Sequence, residues 1–526
     1  DELDDYDLKD LPALTRLVYW AGLLGARVVL SSATLPPALV QGMFMAYRAG
    51  RVHHQRNRAA HPSADHEDLK VPCLWVDEFG AQGAECLDAD ACRAQHDAFV
   101  QKRVQKLQSA EPTRLAALWP LDLTMQAKKP LLRVELAEQI RQAGLRLHAD
   151  HAQVCPISGK RISFGLVRMA NIDPLFDVAQ ALFRMGAPEG IRIHLCVYHA
   201  RFPLVQRSAI EHMLDTALNR REPRAVFDLP SVRDAIDAHP EPDQLFVVLA
   251  SPVCEVGRDW DADWAVAEPS SVRSLIQLAG RVQRHRAQKP ERPNVFIFDT
   301  NLKHFEGRKM QDGYPAAIFV QPGFEDARAR LADVSSYRLE ARRLGKLMTP
   351  DEYTRLHAVP RIMARPPGEL NHRRRLVDLE QARMMDCMLP MAETAKVNDT
   401  ADQLNASSGW THPQAGLTGF LPQRQPFREG TGRSVTLVFL PDEDGERLEM
   451  HRVEQQGRGR HTERLYVPVN QSQRHDVTLE SGPRVRPWGQ HDLMTLLQEQ
   501  AEHLELPLLL CAQRMAVVEV PENDQG

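Results

Sequence analysis

No stretch of this 526-residue chain stays apolar for the roughly 20 residues needed to cross a bilayer. That argues against a membrane-spanning role. No C-x-x-C pair occurs, and the eight cysteines are scattered: Cys73, Cys86, Cys92, Cys155, Cys196, Cys254, Cys387 and Cys511. Such spacing argues for reduced thiols in a cytoplasmic compartment, and against a disulfide framework or a zinc site. No G-x-S-x-G elbow is present, so Ser-His-Asp catalysis has no support. A phosphate-cradling P-loop is missing too. "PISGKR" at 156–161 offers Gly159 and Lys160, but Val154 stands where the first glycine belongs and Arg161 where a magnesium-binding hydroxyl belongs. There is no net positive charge either: the formal balance is −5, which excludes a chain-wide basic footprint for nucleic acid.

What remains is ordinary globular material, with 43% hydrophobic and 26% charged residues. The length suggests several domains rather than one core. Basic residues gather locally at 51–58, 280–286, 371–375, 457–461 and 483–487. Each patch can hold phosphates, and each also reads as a solvated face.

Periodicity predicts an α/β fold. Residues 8–22 carry Leu11, Leu14, Val18 and Ala21 at helical spacing. "ARVVL" at 26–30 is a short continuous apolar run, as expected of a strand buried on both faces. A polar turn, "SSATLPP", and another helix follow. "VPCLWV" reads as a strand and 88–109 as a charged helix. Then "RISFGLVRM", "IRIHLCVYHA", "QLFVVLAS" and "PNVFIFD" read as strands, separated by amphipathic helices through residue 299. Beyond 300, residues 323–387 look helical and charged, 396–416 read as a polar linker, and a mixed region closes the chain.

Four short motifs occur in order. The first is the acidic opening "DELDDYD", led by Asp1 and Glu2. "SAT" at Ser32 to Thr34 follows the apolar run. "SPVCEVGRDWDADW" presents Glu255, Gly257 and Asp259 after a strand. "SLIQLAGRVQRHR" holds Gln277, Gly280, Arg281 and Arg284. Continuing the helix through this last motif would place Gln277, Arg281 and Arg284 on one face. Two arginines on one turn suit a phosphate better than a core. An Asp at a strand end can hold Mg²⁺ through water, and the adjacent Glu can orient the attacking water.

These motifs resemble motifs II, III, V and VI of superfamily 2 helicases. "RLVYWAGLLGARVVLSSATLPPALVQGMFMAYRAGR", "GKRISFGLVRMANIDP" and "YHARFPLVQRSAIE" narrow the resemblance to the helicase–nuclease of type I CRISPR interference systems, in its subtype I-F form fused to an adaptation-protein domain. The resemblance implies an ATP-dependent single-stranded DNA translocase. ATP and Mg²⁺ are its implied cofactors, with Asp1 meeting Mg²⁺ through water, and a further divalent metal belongs to an upstream HD nuclease domain. Asp1, Glu2, Arg281 and Arg284 take the catalytic roles. Ser32, Thr34, Gly257, Asp259, Gln277 and Gly280 take the ATP-binding and coupling roles. Implied partners are single-stranded DNA, an RNA-guided surveillance complex and the spacer-acquisition integrase. The missing P-loop makes the chain read as the C-terminal portion of a longer motor, inactive alone.

For DNA contact, Arg201 and His199 follow a strand in the second lobe, and Arg168 with Asn171 ends another. Arg201 equally reads as an ordinary exposed loop residue. His148 and His151, in "HADH", read as packing rather than a metal site, as do His53 with His54 and Cys86 with Cys92, for want of partner ligands. The expected fold is α/β: the end of a first RecA-like lobe over 1–110, a complete second RecA-like lobe over 111–310, a helical linker over 311–400 and a small mixed α+β domain over 401–526. Two other readings stand beside it: another superfamily 2 DNA or RNA motor, and a non-enzymatic DNA- or partner-binding module.

Overall fold

The computed structural model describes residues 2–3, 6–58, 69–255, 257–286, 289–307, 316–320, 324–326, 336–390, 405–411, 434–456, 463–474, 477–489 and 491–522. The chain forms two compact units. One comprises Asp1–Leu121, Pro269–Gln277 and Ile297–Glu429, the other Asp122–Glu268, Leu278–Phe296 and Gly430–Gly526.

The first unit begins with α1 (Leu11–Leu24), which has Pro12 in its first turn and ends at Gly25. It packs against α2 (Pro37–Arg58). Strands β1 (Val71–Asp77) and β2 (Gly80–Cys86) form an antiparallel hairpin. The Asp77 carboxylate fixes its turn by accepting from the N–H groups of Phe79 and Gly80 at 2.7 and 2.9 Å. Helix α3 (Ala89–Ser109) follows, capped by Asp88, which accepts from Ala91 N–H at 2.8 Å. Strand β3 (Ala116–Trp119) closes this stretch.

The strand expected at 26–30 does not form. These residues are largely exposed, and Val29 keeps 85% of its surface. An apolar run becomes a buried strand only if sheet neighbours flank it, and no described strand of the first unit pairs with this segment.

The second unit carries the predicted alternation. It runs α4 (Lys129–His151), β4 (Gln153–Val154), β5 (Arg161–Arg168), α5 (Ile172–Met185), β6 (Ile191–Tyr198), α6 (Leu204–Ala217), α7 (Pro230–Asp237), β7 (Asp243–Ala250) and β8 (Trp264–Ala267). Strands β6, β7, β5 and β8 lie side by side, all parallel, and β4 pairs antiparallel with β5. Burial runs unbroken along β5 from Ile162 to Arg168, as expected where helices cover both faces. Phe164 stacks on Phe246 of the adjacent strand, ring centroids 5.0 Å apart, and His194 stacks on the far side of Phe246 at 4.4 Å. Gly165 leaves room for Trp264: a Cβ there would meet the indole at 2.2 Å. The indole N–H donates to Ser163 Oγ at 3.0 Å.

Helix α8 (Val272–Ala279) stops at Gly280, short of the predicted helical run, and strand β9 (Val295–Phe298) follows. The later stretch of the first unit holds short helices: α9 (Leu344–Leu347), α10 (Pro350–Arg355), α11 (Val359–Ile362), α12 (Leu376–Met388) and α13 (Ser408–Thr411). Prolines break the charged stretch into pieces, and Thr349 with Glu352 forms a capping box at α10. Buried Glu380 pairs with Arg361 and accepts from Val272 N–H at 2.6 Å. Most of the predicted linker, at 396–404 and 412–416, lies outside the described residues.

The C-terminal residues belong to the second unit. Strands β10 (Ser434–Pro441), β11 (Leu448–Gln456), β12 (Glu463–Pro468) and β14 (Val517–Pro521) form an antiparallel sheet in the order β12-β11-β10-β14. Helices α14 (Leu493–His503) and α15 (Leu508–Met515) pack on it around Val438, Leu440, Leu497, Cys511 and Ala512, joined by Val205 of α6. Strand β13 (Val485–Pro487) instead adds to the parallel sheet, beside β6. Trp488 follows it into the core, with its ring centroid 5.0 Å from that of Phe246. Among the described residues, no helix is long and apolar enough to cross a membrane.

Candidate nucleotide and nucleic-acid site

In a parallel sheet the loops at the carboxyl ends of the strands converge, and ligands bind there. Here those loops are 168–171 after β5, 199–203 after β6, 251–263 after β7 and Glu268 after β8. One ion-pair network ties the loops after β5, β7 and β8 together within the second unit, and another holds the loop after β7 to the turn at 284–286.

The first network is buried. Arg168 Nε donates to Glu255 at 2.6 Å, and both side chains are almost fully enclosed. Arg168 Nη1 donates to the Glu268 carbonyl at 2.7 Å, and Ala170 N–H donates to the Glu268 carboxylate at 2.7 Å. Arg281, also buried, donates to the Glu255 carbonyl at 2.6 Å. Arg168 therefore faces inward, and its placement on a DNA backbone is corrected: its guanidinium joins the loops after β5, β7 and β8. Arg281 holds a backbone carbonyl of the loop after β7.

The second network reaches solvent. Asp259 accepts from Arg284 at 2.6 Å, from His285 at 3.0 Å and from Arg221 at 2.8 Å. Partial burial opposes its charge, but these three donors prevail and hold its carboxyl down at about 2. Arg284 itself is 40% exposed. One layer deeper, Asp261 accepts from the N–H groups of Arg284 and His285 and pairs with Arg286 at 2.7 Å. Fully buried Asp263 pairs with Arg286 and Arg220. Burial opposes its charge too, and the two guanidinium groups lower its pKa regardless.

The shared helical face drawn for Gln277, Arg281 and Arg284 is corrected. Only Gln277 lies on α8, where it is buried. Past Gly280 the chain turns, Val282 bridges in parallel to Ala262, and Gln283 adopts a left-handed φ of 46°. The arginines reach their partners from this irregular turn. Gly257 has a φ of 62° with open space around it, as glycine permits.

After β6, His199 stacks on Phe202 at 4.3 Å and its Nδ1 accepts from Arg201 N–H at 3.1 Å. Burial, with help from the Arg201 charge, lowers its pKa to about 4, so the ring is neutral at pH 7. Arg201 pairs at 2.7 Å with Asp173, whose side chain is 76% exposed. In the first unit, Leu3 N–H donates to the Ser31 carbonyl at 3.0 Å, which brings the acidic opening beside the Ser-Ala-Thr loop. Glu2 sits at a φ of 50°, Thr34 is wholly buried and the Ser32 hydroxyl is buried without a hydrogen-bond partner among the described residues. Asp1 lies outside the described residues. His148 is satisfied by Ser163 and Asp243, and His151 by the Pro293 carbonyl, so "HADH" is structural.

Glu268, Asp261, Asp263 and Arg286 were not singled out in the sequence. A signal for most of them was there: Asp259, Asp261 and Asp263 alternate with period 2, opposite the run Arg284, His285, Arg286.

Comparison with known proteins now bears on this geometry. Residues 161–287 match the family model "CRISPR-associated nuclease/helicase Cas3, C-terminal", and 439–526 match "CRISPR-associated Cas3 subtype I-F/YPEST-like, C-terminal domain". The whole chain is 42% identical over 529 residues to the CRISPR-associated nuclease/helicase Cas3 subtype I-F/YPEST of Pseudomonas aeruginosa (strain UCBPP-PA14). The chain is Cas3-like throughout. The corresponding protein of Pectobacterium atrosepticum is 38% identical over 85% of the chain. This Cas3-like chain spans 45% and 39% of the lengths of these two relatives. A crystal structure of T. fusca Cas3 with AMPPNP aligns with 99% of the chain and 47% of its own, at 16% identity and a TM-score of 0.42. Both family models fall mainly on the second unit: one spans β5 to the Arg284 turn, with residues 269–277 belonging to the first unit, and the other covers most of the C-terminal sheet.

Proposed function

We propose that this chain supplies the second RecA-like lobe and C-terminal domain of an ATP-driven, single-stranded DNA translocase that serves CRISPR interference. The observation that carries the reading is the whole-length 42% identity to a curated nuclease/helicase. The Asp259–Arg284 network supplies its chemistry.

Arg284 is the arginine that this chain offers to a phosphate. Asp259 holds it extended and charged at the surface until a stronger anion competes. Arg281 positions the Glu255 loop from below. Arg201, partly exposed beside Asp173, is the cation for the DNA backbone, and His199 and Phe202 form the platform beside it. When bound, ATP with Mg²⁺ would supply the phosphoryl-transfer chemistry. Asp1 and Glu2 are the residues assigned to meet the metal and the attacking water, and Ser32, Thr34, Gly257, Asp259, Gln277 and Gly280 to couple to the nucleotide. Because residues 1–526 contain no P-loop, the chain alone is inactive as an ATPase. An HD nuclease with its own divalent metal, a surveillance complex, the spacer-acquisition integrase and a cytoplasmic location complete the reading, as the subtype I-F likeness suggests.

The test is ATP hydrolysis by the full-length parent protein, with single-stranded DNA and RNA compared. Strong stimulation by DNA alone, cut by about 10³-fold or more in Arg284→Ala, is the expected result. Equal stimulation by RNA would favour another superfamily 2 motor. No hydrolysis at all would favour a binding module.

A further inference from the structure

The cysteine spacing argued against a zinc site, and the fold reverses that reading. In the β1–β2 hairpin, Val71 pairs with Cys86 and Cys73 with Ala84. Cys73 and Cys86 therefore stand diagonally on one face of the ribbon. Helix α3 lies against that face and brings Cys92 to them. The three sulfurs lie within 4.8 Å of one another. A tetrahedral ion with sulfur ligands at about 2.3 Å would hold its sulfurs roughly 3.8 Å apart, so a small inward movement closes the triad around a cation.

A second feature points to the same place. His96 stands four residues after Cys92, on the same face of α3. It is 7% exposed, and neither ring nitrogen has a hydrogen-bond partner among the described residues. A buried imidazole with both nitrogens unsatisfied is costly, and a metal bond would satisfy one of them. The three sulfurs form the close group, and His96 lies outside it. Phe44, Val71 and partly buried Trp75 form an apolar shell around the thiols, while Cys73 is only half-buried and gives an ion a way in.

We propose that Cys73, Cys86 and Cys92 bind a soft divalent cation of the zinc class, with His96 as the fourth ligand. Soft thiolates with one imidazole select such an ion over magnesium or calcium. The four-coordinate, closed ligand set makes the site structural: it staples the hairpin to α3.

The experiment uses the full chain, purified under reducing conditions with added Zn²⁺, dialysed and assayed for bound metal. Co²⁺ is then substituted as a spectroscopic probe. One equivalent of zinc is expected, together with the thiolate-to-cobalt charge-transfer and intense visible bands of a tetrahedral site. Cys73→Ser, on the accessible hairpin, should weaken retention at least tenfold, while Cys511→Ser, in the C-terminal sheet domain, should leave it unchanged. His96→Gln should alter the cobalt bands. Sub-stoichiometric metal that is the same in Cys73→Ser and the unaltered chain, with no tetrahedral cobalt spectrum, would overturn the site. Cobalt bands unchanged by His96→Gln would overturn the fourth ligand.

Discussion

At the scale of single residues, the Arg168–Glu255 pair and the Arg284–Asp259 pair contrast most clearly. Both look alike on paper, an arginine against a carboxylate at 2.6 Å. The first is enclosed, so removing one partner strands an uncompensated charge in the interior. Arg168→Ala should lower the unfolding free energy by about 3–5 kcal/mol in urea titrations. Arg284→Ala, with its partner near solvent, should cost no more than about 1 kcal/mol in the same titration. If the proposed function holds, a large effect on nucleotide turnover with a small effect on stability would separate a working arginine from a structural one. The sequence could name all four residues but not sort them, because burial is decided by what the fold packs around them.

At the scale of elements, continuous apolar runs served well for β5, β6 and β7 and failed at 26–30. The signal states the environment that a segment needs. It does not say whether neighbours are there to provide it. Helix α8 was overrun for a different reason: amphipathic spacing persisted past Ala279, but Gly280 and the bridge from Val282 to Ala262 ended the helix. Strand β13 was invisible because three residues, with Pro487 among them, carry no strand pattern of their own; the parallel edge of β6 creates it. The thiol cluster was hidden for a related reason. Its members are thirteen and six residues apart along the chain, and only the hairpin register and the seat of α3 bring them together. One element-level expectation concerns β5. Gly165→Ala would drive a methyl into the Trp264 indole, and because backbone and indole are both fixed, the loss should be about 1–3 kcal/mol or more. Thermal unfolding followed by tryptophan fluorescence would show it as a lowered midpoint.

At the scale of the whole molecule, both units bury a neutral imidazole. His96 in the first and His194 in the second are each pushed down to about 4, in both cases chiefly by burial. An unfolded histidine titrates near 6.5. Between those values the unfolded chain takes up protons that the folded chain refuses, so stability is full above pH 6.5 and drains away as the pH falls towards 4. Denaturant midpoints measured from pH 7 to pH 4 should decline through that window, and His194→Gln should flatten the decline for the second unit. Asp259 adds a further loss only at lower pH, as its carboxylate protonates between its unfolded value and about 2.

The buried Asp261 carries one more consequence. It grips the main-chain N–H groups of Arg284 and His285, while Asp259 grips only the guanidinium and the imidazole. The peptide at 284–285 is thus a fixed fulcrum and the arginine side chain the lever upon it. If an anion were to take the guanidinium from Asp259, as proposed, the swing would be confined to side-chain torsions and would leave the backbone where it was. The motion is then as fast as a rotamer change, and loop rearrangement sets no lower limit on its speed.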